Sequence, residues 1–447
     1  MKKYRELAPL LKLAAPVSLS MLGGLFMQLV DTVFVGRLGP VAIGGASVGN
    51  AFFATLMIVG IGMSMGLDYL VSHSFGAKKL ELCHRYLVQA LYLAVVNSLV
   101  FTAMMYFCAG TFTLFGINAE IAAAGKSYLQ AMCFSLMPFM LFSAFRQYLQ
   151  AMGVTVPALI ILVVANGVNA LGNWVFIFGH FGFSAHGVAG SGWSTVLARV
   201  FMLAAIAWYV LRRDRRLKLG LRTTPLKFSR KHTLELVKLG LPSALTLLFE
   251  VGGFATVTML AGQLGAVPLA AHQIVLHLAS LTFMIPLGLS SATAVLVGQS
   301  LGSGNRHRAI AIGWTAIVFG AIFAAFMGLL MYAFSLPLLR IFTSDFRVMQ
   351  LGSALLLVAS LFQVSDAMQT IGSGVLRGIG NTKVSMYTNL AGHWLLGLPV
   401  GYMLCFWLGW GAHGLWVGLS VGLTVVALGL TYVWWRKAHE MRGTLLS

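Results

Sequence analysis

Twelve apolar runs, each of roughly 20–25 residues, constrain this chain more than any other feature, because about 20 such residues cross a bilayer as a helix. They fall at 14–36, 46–72, 89–110, 127–150, 158–180, 187–211, 240–263, 271–298, 311–336, 352–376, 384–408 and 412–435. The chain is 59% hydrophobic and only 9% charged, against roughly 25% charged residues in soluble proteins. An all-α integral membrane protein is expected, with no separate soluble domain. Lys2, Lys3 and Arg5 precede an apolar stretch that begins near Leu10, carries Lys12, is too long for a signal-peptide core and lacks an A-x-A site. It is expected to be a retained span and not a cleaved signal peptide.

The net charge of +19 is no nucleic-acid footprint, because its distribution follows the membrane. Almost every lysine and arginine lies at the N-terminus, after even-numbered runs or at the C-terminus; only Arg37, Lys126, Arg340 and Arg347 fall on the other side. The positive-inside rule then places both termini in the cytoplasm, and the expected location is the inner (cytoplasmic) membrane. Cys83, Cys108, Cys133 and Cys405 are scattered without metal-ligand spacing and read as packing thiols. The sequence holds no Walker A motif, serine nucleophile elbow or HExxH. No enzyme activity is expected, and transport would have to run on an ion gradient.

The longest polar break, residues 213–238, divides the chain into halves of six spans, 1–212 and 239–447. The halves are related by a shift of 226 residues without gaps: Pro16 meets Pro242, Thr32 meets Thr258, Gly36 meets Gly262 and Leu38-Gly39 meets Leu264-Gly265. Gly62, Ser64, Ser74 and Gly76 meet Gly288, Ser290, Ser300 and Gly302. With an even number of spans per half, the repeats share one orientation, which predicts two lobes with substrate bound between them.

Charged groups within spans cost about 2.5–3.5 kcal/mol on insertion scales and mark candidate sites. Asp31, Glu250 and Asp366 are the leading candidates, with a hydrogen-bonded structural carboxylate as the plainer alternative. Asp31 lies six residues before Arg37, about 9 Å below the outer surface. Glu250 and Asp366 fall near mid-span in the same half, where they can share one cavity. Asp68, close to His73, Lys78 and Lys79, reads as a structural or gating ion pair. Arg199 is a mid-span cation that needs a partner, whereas Arg146 is near enough to a surface to snorkel. Asn169 and Asn173, four residues apart, share a helix face and can line a polar pocket or coordinate a cation; Asn166, Gln273 and Tyr387 are further in-span polar groups. His272, His277 and His393 read as satisfied interior residues. The acids are not duplicated with the repeat: Val257 is the counterpart of Asp31, and Gly24 that of Glu250.

Over its whole length the chain resembles the multidrug and toxic compound extrusion (MATE) family. The resemblance rests on Pro16 through Asp31-Thr-Val-Phe-Val-Gly36, Ser74-Phe-Gly76, Leu241-Pro242 to Glu250, and Ala271-His-Gln273. It continues through Ser365-Asp366 to Arg377-Gly378, Gly397-Leu-Pro399-Val-Gly401 and Gly414-Leu-Trp416-Val-Gly418. The pattern is most similar to the bacterial NorM-like branch. The resemblance implies two six-helix lobes forming a V, in which Na⁺ or H⁺ enters as a lipophilic or cationic organic compound leaves. It further implies coupling roles for Asp31, Glu250 and Asp366, with Na⁺ possible at the latter two, and a substrate or ion cavity touching Asn169, Asn173, Gln273 and Tyr387. An acid stands at the position of Asn173 in the archaeal-type pattern, so a two-acid proton switch is not expected here. The sequence around Asp68 is similar to the plant and animal branch. The expected partners are small organic cations and the lipid bilayer, with a monomeric chain and no cofactor beyond the coupling ion. The competing readings are a lipid-linked precursor flippase of the same superfamily, which would carry more cavity arginines, and a channel or receptor.

Overall fold

The computed structural model describes residues 6–443; Lys2, Lys3 and Arg5 lie outside the described residues. Among the described residues, twelve helices are long and apolar enough to span a membrane. They are α1 (Leu7–Gly36), α2 (Pro40–Gly76), α3 (Leu80–Cys108), α4 (Ala119–Ala151), α5 (Val156–Phe178) and α6 (Val188–Leu217), followed by α7 (Arg230–Gln263), α8 (Ala266–Gly302), α9 (Arg306–Ala333), α10 (Phe346–Gly378), α11 (Thr382–Trp407) and α12 (Ala412–Gly443). No strand occurs among the described residues. Each expected run is found, and most helices extend past its apolar limits into charged sequence. A polar helix continues where water and lipid headgroups solvate its side chains, so hydropathy underestimates helix length.

The repeat is visible in backbone geometry. Gly39 and Gly265 both adopt a left-handed φ, +100° and +110°, after matching turns in which Gly39 N donates to Gly36 O and Gly265 N to Gly262 O, each at 3.2 Å. A side chain with a Cβ is strained there, which explains why glycine recurs at this link.

The chain forms two compact units, and both boundaries fall inside helices. One unit is Leu19–Ala244; the other combines α1 up to Ser18 with the chain from Leu245 onward. The sequence suggested a division around 213–238, but the first part of each half groups with the other half. The boundaries are themselves repeat-related, Ser18 corresponding to Ala244, and each follows a proline within its helix, Pro16 or Pro242. Small residues permit the exchange. A Cβ on Gly62 would overlap Ala244, and one on the matching Gly288 would overlap Ser18. Ser18 Oγ also reaches Ile285 O at 3.4 Å.

Within Leu19–Ala244, the polar break is not a free tether. Helix α6 runs to Leu217 and α7 starts at Arg230, leaving residues 218–229 between them. Gln89 of α3 donates through Nε2 to Lys227 O at 2.9 Å and accepts at Oε1 from Ser229 N (2.9 Å) and Thr233 Oγ1 (3.1 Å). Tyr92 Oη donates to Leu226 O (2.9 Å) and Tyr86 Oη to Glu235 Oε2 (2.6 Å). Asp214 accepts from the amides of Leu221 and Arg222. The segment is stapled to α3 and to the end of α6.

Candidate functional site

In the Leu19–Ala244 unit, Asp31 of α1 is held by α5 and α6. Asn173 Nδ2 donates to Asp31 Oδ1 at 2.6 Å and to Asn169 Oδ1 at 3.2 Å. Asn169 Nδ2 points at Ser194 Oγ and Thr195 Oγ1, each at 3.5 Å, and Ser194 Oγ donates to Asn173 Oδ1 at 2.7 Å. Both asparagines are fully buried, and their four-residue spacing makes one ladder, as the sequence suggests. The ladder meets the acceptor-only carboxylate of Asp31 through Asn173 Nδ2.

Thr195 gives the site a second setting. Its Oγ1 lies 3.3 Å from Asp31 Oδ2 and 3.1 Å from Ser191 O. Its proton can go to the carboxylate. Alternatively it can turn to Ser191 O and leave the hydroxyl oxygen free to accept a proton from a neutral Asp31. Asp31 can therefore be charged or neutral without a buried group losing its bond, which would otherwise cost about 1–3 kcal/mol.

Arg199, one turn beyond Thr195, lies in a different nest. Its guanidinium stacks on Phe53 and Phe139, with the central carbon 4.8 and 4.6 Å from the ring centroids. Nη1 donates to Ser135 Oγ at 2.9 Å, and Nη2 approaches Met57 Sδ at 3.7 Å. Ser135 sits in a 3₁₀ turn, Cys133–Ser135, that interrupts α4. Ring faces and a hydroxyl thus solvate a cation that hydropathy leaves unplaced. Asp31 and the buried Tyr128 lie within its electrostatic reach.

Asp68 is fully buried at the start of the second part of α2. Arg146 of α4 is a charge that acts on it, which makes this arginine part of the Asp68 environment and not simply a snorkelling side chain.

In the other unit, Glu250 of α7 and Asp366 of α10 act on one another electrostatically. Gln369, one turn after Asp366, joins them: its Nε2 is 3.5 Å from Asp366 Oδ1, and its side chain also hydrogen-bonds Glu250. Two acids and an amide therefore share one place, as their mid-span positions suggest. Gln273 is half-buried, and Tyr387 is exposed and makes no side-chain hydrogen bond among the described residues. Among the described residues no hydrogen bond brings either to this pair. Among the described residues no group of three or more His, Cys, Asp or Glu side chains could hold a metal. A Na⁺ at the pair would draw its remaining oxygens from amide, hydroxyl or carbonyl groups.

His272 is a satisfied interior residue. Trp416 Nε1 can only donate, and it reaches His272 Nδ1 at 3.1 Å, so the other nitrogen carries the proton toward Thr258 Oγ1 at 2.9 Å. His393 differs: it is equally buried, yet neither ring nitrogen has a partner among the described residues. Sequence reasoning missed Ser194, Thr195 and Gln369. The spacings 191/195/199 and 366/369 were available as signals, but hydroxyls and amides are common in spans.

Two units of repeated helices, each enclosing carboxylates held by buried amides, make this a multi-pass membrane protein with an acid site in each unit. The chain belongs to the MatE family, whose model matches residues 16–175 and 242–403, beginning at the repeat-related prolines. It is 36% identical over 442 residues to a probable multidrug resistance protein NorM of Mesorhizobium japonicum, covering 97% of this chain and 94% of that one. It is 30% identical over 428 residues to the multidrug resistance protein NorM of Photobacterium profundum, covering 95% and 94%. Among solved structures, the eukaryotic MATE transporter AtDTX14 superposes with a TM-score of 0.89 at 21% identity, covering 99% of this chain and 100% of that one. A MATE protein in a bent conformation gives 0.91 at 19% identity, covering 100% and 98%. These two show the fold.

Proposed function

We propose that this chain is a multidrug efflux transporter, not an enzyme, and that it exports lipophilic and cationic organic compounds by alternating access in exchange for Na⁺ or H⁺. The Glu250–Gln369–Asp366 group carries this reading. Two carboxylates that share one amide inside the span, Asp366 buried and Glu250 half-buried, cannot both stay charged and unpaired at low cost, so they favour uptake of a cation and its later release. NorM relatives with nearly full-length coverage support the drug-export part. At Asp31, the two settings of Thr195 suit a proton better than a metal ion, since the surrounding amide oxygens already accept hydrogen bonds. The inner membrane, cytoplasmic termini and a monomeric state belong to the same proposal; the placing of the termini rests on the distribution of lysine and arginine.

The test is uptake of a fluorescent cationic dye into everted vesicles. Dye should accumulate on imposing an ion gradient, and Asp366→Asn should remove the gradient-driven part. Wild-type accumulation by Asp366→Asn would overturn the coupling role. An imposed Na⁺ gradient at fixed pH, compared with a pH gradient without Na⁺, identifies the ion.

A further inference from the structure

The polar face of α11 leads to His393. Thr382, Ser385, Asn389 and His393 follow at spacings of three, four and four, which keeps them on one side of the helix. All four are more than nine-tenths buried. Thr382 Oγ1, Ser385 Oγ, Asn389 Oδ1 and both His393 nitrogens have no hydrogen-bond partner among the described residues. A lone buried polar atom of this kind is unusual, and each costs about 1–3 kcal/mol if left dry. Four in register along one face of a membrane helix mark a common solvent.

Backbone geometry places the upper end of this face. Helix α11 widens into a π-helix over Leu390–Gly397. This register keeps Gly392 and Gly397, five residues apart, against α12, where a Cβ on Gly422 would strike Gly392 O and the Gly397 backbone. His393 is thereby set against α7: a Cβ on Gly253 would lie 3.5 Å from His393 Cβ, and the Phe254 ring is 6.4 Å away. Gly253 is one turn beyond Glu250. The neighbouring Trp394 fixes the contact by donating from Nε1 to Phe249 O at 3.0 Å. The lower end begins at Thr382, between Arg377 and Lys383 in the sequence, on the basic side of the membrane. The eleven-residue rise from Thr382 to His393 is about 16 Å, half the hydrocarbon thickness. Other polar groups on the elements packed around α11 are Gln369 and Thr370 of α10 and Thr431 of α12; each also has an oxygen without a protein partner.

We infer that Thr382, Ser385, Asn389 and His393 line a file of buried water that joins the basic membrane face to the level of Glu250. Water supplies the donors and acceptors these groups lack. Resting on the reading of Glu250 as part of the ion site, the file is the route by which the coupling cation, as a proton or with its hydration water, leaves that site.

Hydroxyl-radical footprinting of the full chain in lipid nanodiscs tests the water directly, because radicals formed from bound water modify the side chains it touches. His272 is an internal control, equally buried but with both nitrogens satisfied by protein. His393 should be modified several-fold faster than His272; equal protection of the two overturns the file. Ser385→Val with Asn389→Leu should reduce His393 modification to the His272 level, while an unchanged His272 rate reports an intact fold. Persistent modification of His393 in that variant would mean water reaches it another way and would overturn the assignment of these residues. In everted vesicles, the same variant should slow gradient-driven dye uptake several-fold, and a wild-type rate overturns the release role. Failure of wild-type vesicles to take up dye would instead count against the transport reading, which the footprint does not use.

Discussion

At the residue scale, the Asp31 site is a matter of hydrogen direction. Thr195→Val keeps the shape but removes the hydroxyl that turns between Asp31 and Ser191; Thr195→Ser keeps it. We expect Val to slow dye uptake about tenfold, the equivalent of one hydrogen bond to a charged group, and Ser to remain near wild type. Equal rates for the two variants would remove Thr195 from the mechanism. Asp345 offers a separate test outside the membrane. Its Oδ1 caps α10 by accepting from the Arg347 amide at 2.8 Å and the Val348 amide at 3.4 Å. Those bonds, chiefly the Arg347 amide, hold its carboxyl below the ordinary aspartate value. A lowered folded value means the cap stabilises above the ordinary pKa and is lost as pH falls through the folded one. Asp345→Ala should therefore lower the thermal midpoint at neutral pH, with the difference closing below about pH 3–4.

At the element scale, exchange of the first helix segments depends on glycines facing small residues. Gly62→Leu and Gly288→Leu place a side chain where the Ala244 and Ser18 backbones already lie. Each should cost about 1–3 kcal/mol or more through overpacking, seen as a lower thermal midpoint in detergent. Gly24→Leu is the control, since nothing lies within 4 Å of a Cβ built there. The repeat in sequence located these pairs only in part. Its shift of 226 aligns Gly62 with Gly288, but nothing in an alignment shows that each packs against the opening helix of the other half. Hydropathy could not show it either, because both faces of such a helix are apolar.

At the scale of the whole molecule, the segment between the repeats is held by α3 and not by a flexible tether. Gln89→Leu removes the side chain that satisfies Lys227 O, Ser229 N and Thr233 Oγ1 at once. Limited trypsin digestion should then cut faster at Arg222 and Lys227, while the first-order dye-uptake rate stays nearer wild type than in Asp366→Asn. Unchanged cleavage would show that Tyr86, Tyr92 and Asp214 suffice to hold the segment.

The sequence by itself determined the number of spans, the internal repeat and the family. It also identified the in-span acids, because the cost of a charge in hydrocarbon and the length of a bilayer act on local composition. Its placing of Asn169 and Asn173 on one face is visible in the structure, since a four-residue helical spacing alone fixes such neighbours; Glu250 and Asp366 stand on different helices, where similar depth in the membrane suggests a meeting but no spacing fixes it. Tertiary structure decided which polar groups meet across helices: Gln369 between two acids, Thr195 beside Asp31, Arg199 between two phenylalanines. It also decided that His272 has two protein partners and His393 none. The rotational phase of one helix against another sets these differences, and a run that is apolar on every side does not encode that phase.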